Sequence, residues 1–543
     1  MGDREYQTDV VVIGAGIAGL TASWELLEQG RKVVLIDRDS EQRLGGMAND
    51  AFGGMHLLNT REQNRNGIRD SEELAWDDWL AAAQYGEHDH WPREWGKHYI
   101  EYSRSIIYDW LRQMGLSFFP VVQWVERGDY GFGEGNRGNS VPRYHVIWGT
   151  GWELGQTVRK HVLHHPHAER MTLLCGHRVD NFLQQDSAIK GCEGVTQEGR
   201  RFRVSAEHTV ICAGGINGNL DQVYKHWDSK TYGPYPENIL SGSHPYADGK
   251  LHDRAQSVGA SVTHLGWMWN YAAGVRHPQP EYPNHGLSVI PARSALWMDA
   301  FGNRVGPVPL ITGFDTHRLC QRVNQLPYHY GWQIMNRRIA NKEIAVSGSH
   351  INPAFKNKSW LGVIGLALKG NPQLVDDLIE NCADVVTGNT LEELVAAMNA
   401  MPNPAQVNIE NMRRDIAAYD AQLAHGARFV TDDQIRRLQV MRQWRGDKVR
   451  NCRNQPIDSA KAGPLIAIKT RLISRKSMGG FQTDLQSRVL DTSGNVIPGL
   501  YAAGEAAGFG GGGLAGIRSL EGTFLTGCIL TARRAGQFIG QQK

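Results

Sequence analysis

The sequence predicts an α/β protein with a Rossmann-type core, interrupted along the chain by an inserted α+β domain. Three observations predict it. Residues 9–37 read as a complete βαβ unit, residues 267–455 change character and carry no second such unit, and residues from 457 onward return to strands punctuated by glycines. The expected division is 1–265 and 456–543 for the core and 266–455 for the insert.

Asp9 precedes Val10–Ile13, a short, apolar, largely β-branched run of the kind that forms a buried parallel strand. Gly14-Ala15-Gly16-Ile17-Ala18-Gly19 follows, a G-x-G-x-x-G that opens into a helical pattern over Ile17–Gln29 and stops at Gly30. A second apolar run, Val33–Ile36, ends on Asp37. Gly14 permits a tight turn, Gly16 lets backbone N–H groups approach a pyrophosphate, and Gly19 lets helix and strand pack closely. The helix N-terminus offers donors and partial positive charge to phosphates, and Asp37 can accept hydrogen bonds from ribose hydroxyls. A lone glycine motif reads as an ordinary loop, but strand, glycines, helix, strand and acid in this order point to a bound dinucleotide. The acid at 37 argues against a ribose 2′-phosphate, and Arg38 beside it keeps that alternative open.

With 543 residues the chain is long enough for two or three domains. Lys and Arg total 58 against 56 Asp and Glu, a net charge of +2 that gives no reason to expect nucleic acid as a partner. The seven cysteines, Cys175, Cys192, Cys212, Cys320, Cys382, Cys452 and Cys528, never form C-x-x-C. That disfavours a disulfide scaffold, a c-type haem and a Cys-ligated metal site; no metal is expected, and small core residues in a reducing cytoplasm are. The charged residues 1–8 lead straight into the first strand, with no room for a signal peptide, and no apolar run approaches the ~20 residues that span a bilayer. A soluble cytoplasmic protein without a transmembrane segment is expected.

After Asp37 come the pairs Gly45-Gly46 and Gly53-Gly54, flanking Met47 and Ala48. Such pairs are turns by default, but after a dinucleotide strand they read as backbone laid against a flat cofactor. Residues 72–115 are helical in period and rich in Trp and Tyr, most of them expected to fill core. Gly131–Gly135 contains a partial G-x-G with no strand before it, so a loop is expected. His145, beside Arg143 and before a helix over Trp152–His164, has two readings, a satisfied structural histidine or a site residue. Strands are expected from His177, over Arg201–Val204 and over Thr209–Ala213, the last ending on Gly214-Gly215. Pro245–Gly249 opens a helix closed by Gly259. In the insert, helices are expected at 372–386, 390–401 and 408–425, the second fixed by the capping box Thr390-Leu391-Glu392-Glu393. Leu465–Thr470 reads as a strand, and a helix over Glu521–Ile539 ends the chain.

Taken together, these pieces resemble the FAD-binding dehydrogenases of the succinate dehydrogenase/fumarate reductase flavoprotein superfamily, more narrowly its 3-ketosteroid-dehydrogenase-like members. The resemblance covers nearly the whole chain. It rests on the βαβ unit, the paired glycines, Ala213-Gly214-Gly215, Ala247-Asp248-Gly249, Asn389–Leu394, Met478-Gly479-Gly480 and Ile497-Pro498-Gly499-Leu500-Tyr501-Ala502-Ala503-Gly504-Glu505. It implies FAD, with Asp37 at the adenosine ribose, the backbone of Val179 at adenine, and Met47, Ala48, Gly53 and Gly54 lining the isoalloxazine. Asp248 and Glu505 would serve the ribityl and pyrophosphate part, and Thr523 and Phe524 would place N–H groups at the pyrimidine edge. No histidine stands at 46–50, where succinate dehydrogenases attach flavin covalently, so non-covalent FAD is implied.

In the family's fumarate reductases the flavin passes hydride from N5 to a C=C bond, an arginine in the second domain donates the proton, and histidines plus another arginine clamp the dicarboxylate. Arg518 matches the substrate-clamping arginine. Arg318 is the nearest counterpart of the proton donor, with a plain ion-pair role as its alternative. The sequence departs from fumarate reductases, having Lys476 two residues before Met-Gly-Gly and Trp269-Asn270-Tyr271 where histidines stand, and it lacks the ketosteroid dehydrogenases' C-terminal tyrosine. Trp148, Trp267, Trp269, Trp297 and Trp332 would suit a bulky apolar substrate or, equally in kind, fill core. The reading is an FAD-dependent oxidoreductase acting on a C–C bond adjacent to a carbonyl of a ketosteroid-like substrate. The active site is expected between core and insert, with Arg318 or Tyr271 carrying the proton, Arg518 and Lys476 as electrophilic donors, and His145 as a further candidate. With no NADPH domain, electrons would go to an outside quinone, oxygen or redox protein. Two alternatives stand beside it, a fumarate-reductase- or aspartate-oxidase-like enzyme on small acids and a non-catalytic flavin redox sensor.

Overall fold

Val10–Ile13 and Val33–Ile36 have no polar side chain to offer solvent, so both faces of each strand must be covered. In the computed structural model, which describes residues 4–128, 137–306, 308–425 and 428–542, both runs are buried throughout. They pair in parallel, Val10 opposite Val33 and Ile13 opposite Ile36. The chain forms two compact units: Met1–His226, Ser243–Trp269 and Lys476–Lys543 make the first, Trp227–Gly242 and Asn270–Arg475 the second.

Among the described residues the first unit carries an eight-stranded sheet. Its parallel heart runs in the order Val496–Ala502, Arg201–Ile211, Arg4–Ile13, Val33–Ile36 and Met171–Leu174. Arg488–Leu490 pairs antiparallel on one edge, and the hairpin His177–Gln185/Ala188–Thr196 branches from Arg201–Ile211. The carboxyl ends are level, with Ile13 opposite both Ile36 and Ile211, Ile36 opposite Leu174, and Ala502 opposite Ile211. In an open parallel sheet that edge is where a ligand settles. Helix Ile17–Glu28 lies against the closing helix Thr523–Gln541. Gly536 allows the approach, since a Cβ there would stand 2.7 Å from that of Glu25, and Arg533 Nε donates to Glu25 at 2.9 Å.

Several boundaries differ from expectation. The run 72–115 is broken into Glu72–Ala83, His90–Tyr102, a π-helical turn Ser103–Tyr108 and Asp109–Gln113, because Gln84 ends the first piece in the left-handed conformation (φ 54°). Arg201–Ile211 is one strand rather than two. The helix expected from Pro245 starts only at Lys250, after Gly249 turns through φ 77°. The Gly131–Gly135 segment lies outside the described residues.

The second unit also holds an eight-stranded sheet among the described residues, built on the 13-residue strand Leu465–Ser477. Tyr330–Asn336, Met268–Arg276, Val385–Gly388 and Leu240–Ser241 all pair with it. That strand moves the division of the chain, since 456–475 belongs with the insert and so does 227–242. An apolar strand announces a sheet but not which sheet. The helix expected over 372–386 stops at Asn381, and Val385–Gly388 turns into the sheet, where β-branched Val385 and Val386 fit. Thr390 caps Leu391–Ala400 as its box predicts, its side chain accepting from Glu393 N. No helix among the described residues is long and apolar enough to cross a membrane.

Candidate functional site

The glycine loop sits at the level edge of the first sheet. Gly14 turns with φ 99° and donates to Ile36 O at 2.7 Å; a Cβ there would meet Cys212 O at 2.5 Å. A Cβ on Gly19 would stand 1.8 Å from Gly14 O, whereas nothing lies within 4 Å of one built on Gly16. Two of the three glycines are thus demanded by the protein itself, and the third faces open space. Gly16 caps the first helix without any side-chain bond, leaving that N-terminus to backbone donors alone.

Asp37, at the end of the second strand, accepts from Ala15 N at 2.6 Å and Asp39 N at 2.8 Å, so it ties the loop to the strand end. Arg38 reaches Asp248 at 3.1 Å and lies 4.0 Å over the Tyr246 ring. Val179 begins close by in the chain's path, since its strand opens with His177 N donating to Asp37 O at 2.9 Å. Gly214 (φ 80°) runs past Ala247, 3.2 Å from where its Cβ would be, and a Cβ on Gly215 would stand 2.7 Å from Glu505 Oε1. Ala213–Gly215 therefore threads between Ala247 and Glu505. Glu505 accepts from Ser477 N at 2.9 Å, and a Cβ on Gly504 would touch that of Ala18 at 2.8 Å.

Gly45 donates to Ala15 O at 2.9 Å, and a Cβ on Gly46 would stand 3.2 Å from the Gly16 Cα, so this pair, with Met47 and Ala48 on the turn Gly46–Ala48, belongs to the glycine loop. Gly53 and Gly54 are accounted for by protein contacts: their Cβ atoms would strike Gly151 N at 2.6 Å and the Tyr144 ring at 1.9 Å. At the start of the last helix, Gly522 (φ 101°) again provides a cap without a side-chain bond before Thr523. Phe524 gathers Trp269 at 5.5 Å, Phe509 at 5.1 Å and the Lys476 ammonium at 4.3 Å over its ring, while Trp269 Nε1 donates to Glu521 at 3.1 Å. Arg518, just upstream, is buried, and its Nη1 donates to Ala81 O at 3.2 Å. Two helix N-termini without side-chain caps, an open glycine and a strand-end carboxylate fit a dinucleotide cofactor with a flat head.

Arg318 and Tyr271 belong to the second unit. Arg318 lies in the first turn of Thr316–Asn324, where its N–H donates to the capping Asp315 at 2.9 Å. His145 is corrected: wholly buried, it spends one ring nitrogen on Thr60 Oγ1 at 2.7 Å and the other on Arg143 O at 2.8 Å, so it is a structural histidine. Burial pushes its pKa down to about 4, so it stands neutral. Of the tryptophans offered for a cavity, Trp148, Trp269, Trp297 and Trp332 are buried and only Trp267 is half-buried.

Sequence reasoning missed a pair beside Gly508–Gly513. His264 Nε2 lies 2.7 Å from Asp89 Oδ1, and its ring stacks on Trp267 at 3.6 Å. A Cβ on Gly513 would reach Trp267 at 3.0 Å and His264 at 3.2 Å. Burial lowers the His264 pKa against the pull of Asp89. Asp89 and His264 are far apart in the chain, so no spacing reveals them.

A nucleotide cradle of this kind defines a flavoprotein core, and comparison with known proteins agrees. The FAD binding domain family model matches residues 9–525. A KsdD-like steroid dehydrogenase of Mycolicibacterium smegmatis is 39% identical over 533 residues, 95% of this chain and 96% of that protein. The 3-ketosteroid-Δ4-(5α)-dehydrogenase of Rhodococcus jostii RHA1, solved with 4-androstene-3,17-dione, shares the fold with TM-score 0.65 and 21% identity over the full length of both chains. A flavocytochrome c3 fumarate reductase shares it with TM-score 0.67 and 20% identity, covering 99% of this chain and 78% of that one. The chain belongs to the FAD-binding-domain family, and it is an FAD-dependent dehydrogenase.

Proposed function

We propose that the protein adds or removes hydrogen across a C–C bond next to the carbonyl of a ketosteroid-like substrate. The observation that carries this reading is the 39% identity, over 95% of the chain, to a protein named as a KsdD-like steroid dehydrogenase. Bound FAD supplies the acceptor and donor of the hydride. The residues' task is to move the accompanying proton and to hold the charge that builds on the carbonyl oxygen. We assign Arg518 and Lys476 as the donors to that oxygen and Arg318 or Tyr271 as the proton carrier. His264, its tautomer set by Asp89, joins them as a candidate proton carrier of the first unit.

Asp37, the Gly14–Gly19 loop, Gly45–Ala48, Asp248, Glu505 and the N–H groups of Thr523 and Phe524 would hold the cofactor non-covalently. Electrons leave to an outside quinone, oxygen or redox protein, and Cys192, Cys212 and Cys382, buried as small core residues, suit a cytoplasmic setting. Anaerobic titration of the oxidised holoprotein tests the reading. A 3-ketosteroid is expected to bleach the flavin, with succinate and aspartate inert; bleaching by either acid alone would reverse the assignment. Arg518→Ala is expected to lower turnover by two to three orders of magnitude while the flavin spectrum persists. Full activity in that variant would discard the assigned donors.

A further inference from the structure

Strands Tyr330–Asn336 and Leu465–Ser477 pair antiparallel, with Tyr330 opposite Arg471 and Trp332 opposite Lys469. Opposed residues share a face, so these four side chains stand together on one side of the second unit's sheet. Each carries a hydrogen-bond donor, and each is buried. The Lys469 ammonium lies 4.3 Å over the Tyr330 ring and donates to Asn403 Oδ1 at 2.5 Å. Arg471 Nη2 donates to Asp384 Oδ1 at 2.5 Å. The Tyr330 hydroxyl, Trp332 Nε1 and Arg471 Nε have no hydrogen-bond partner among the described residues. Buried donors are as a rule satisfied, so three of them on one face ask for an acceptor.

The charge points the same way. Arg276 bonds Asp384 at 2.8 Å, so Arg276, Arg471 and Lys469 gather around the carboxylate of Asp384, which is itself wholly buried. Asp299, the acid that bears on Tyr330, is spent on Phe301 N and Asn303 N at 2.9 Å each. Burial, and then Arg471, brings the Lys469 ammonium down to about 8, against a smaller upward pull from Asp384. Burial pushes the Tyr330 hydroxyl up to about 12, so it stays protonated and able to donate. We propose that this face binds a phosphate group, free or carried on a larger molecule, between Lys469, Arg471, Tyr330 and Trp332. Arg471 already gives Nη2 to Asp384, so its Nε side offers a single bond rather than the parallel pair that a planar carboxylate takes. A tetrahedral oxyanion instead accepts from several side chains at once. Arg276, 43% exposed, marks the side open to solvent. The site lies wholly in the second unit, and the inference stands whatever the substrate.

Isothermal titration of the full-length holoprotein, its cofactor site already filled, with inorganic phosphate in a chloride buffer tests it. Phosphate should bind at one site per chain, and acetate at matched ionic strength at least ~tenfold more weakly. Lys469→Met should weaken phosphate ~tenfold or more and Tyr330→Phe ~threefold or more, both with an unchanged flavin spectrum. Tyr330→Phe removes a single oxygen and keeps the ring in place, so a folded variant is available whatever Lys469→Met does to stability. Phenyl phosphate separates the two sources: tighter binding than inorganic phosphate identifies a group carried on a larger molecule, and weaker binding identifies the free ion. Wild type that gives no heat up to about 10 mM phosphate, variants that bind it as well as wild type, or acetate that binds as tightly would each overturn the proposal.

Discussion

Gly16 and Gly19 share a motif but not a reason. At Gly19 a methyl group collides with Gly14 O at 1.8 Å, while at Gly16 it meets no protein atom within 4 Å. Gly19→Ala should therefore lose both fold stability and FAD, whereas Gly16→Ala should melt like wild type without cofactor and bind FAD at least ~tenfold more weakly, because the methyl occupies the pyrophosphate's approach. Apo-protein melting and flavin titration of the two variants separate these outcomes. His145 makes a pH prediction. Its imidazole titrates near 6.5 when unfolded and is pushed down to about 4 in the fold, so the unfolded chain binds the extra proton between those values. Stability from this group is full above pH 6.5 and falls as acid is added, by roughly 2 kcal/mol between pH 7 and pH 5. His56, lowered to about 3 by burial, adds a slope of the same sign. Urea midpoints at the two pH values should show His145→Gln losing less on acidification than wild type by about that amount.

At the scale of elements, Arg143 joins the strand Tyr144–Val146 to the helix Glu72–Ala83. It is wholly buried and bonds Asp70 at 2.8 Å and Asp78 at 2.6 Å. Arg143→Met keeps the volume but strands two buried carboxylates, so urea unfolding should show about 3–5 kcal/mol less stability. Elements of either unit were legible where one signal sufficed. Apolar β-branched runs marked Val10–Ile13 and Val33–Ile36, glycines marked the turn between them, and the Thr390 box marked a helix start. The second sheet was legible only in Leu465–Thr470, because strands as short as Leu296–Met298 and Ala345–Val346 show no period. The site divides the same way. Its glycine loop is contiguous in sequence and could be read, but His264 meets Asp89 only through folding, and Gly53 looked like a cofactor glycine when its constraint is the backbone at Thr150 and Gly151.

At the scale of the whole molecule, the proposed cofactor cradle would draw on residues from 14 to 524, which would link ligand and fold. FAD at ~100 times its dissociation constant should raise stability by about 2.7 kcal/mol, and thermal melts of apo and holo protein should differ accordingly and track added FAD. The same first unit sets a timetable. Arg4–Ile13 needs Arg201–Ile211 as its neighbour, that strand needs Val496–Ala502, and helix Ile17–Glu28 rests on Thr523–Gln541. A ribosome adding ~5–20 residues per second leaves the first helix without its last partner for roughly half a minute to two minutes. The nascent chain must therefore wait with an apolar flank uncovered, and a message truncated even twenty codons early yields a polypeptide whose first helix never meets the helix it rests on.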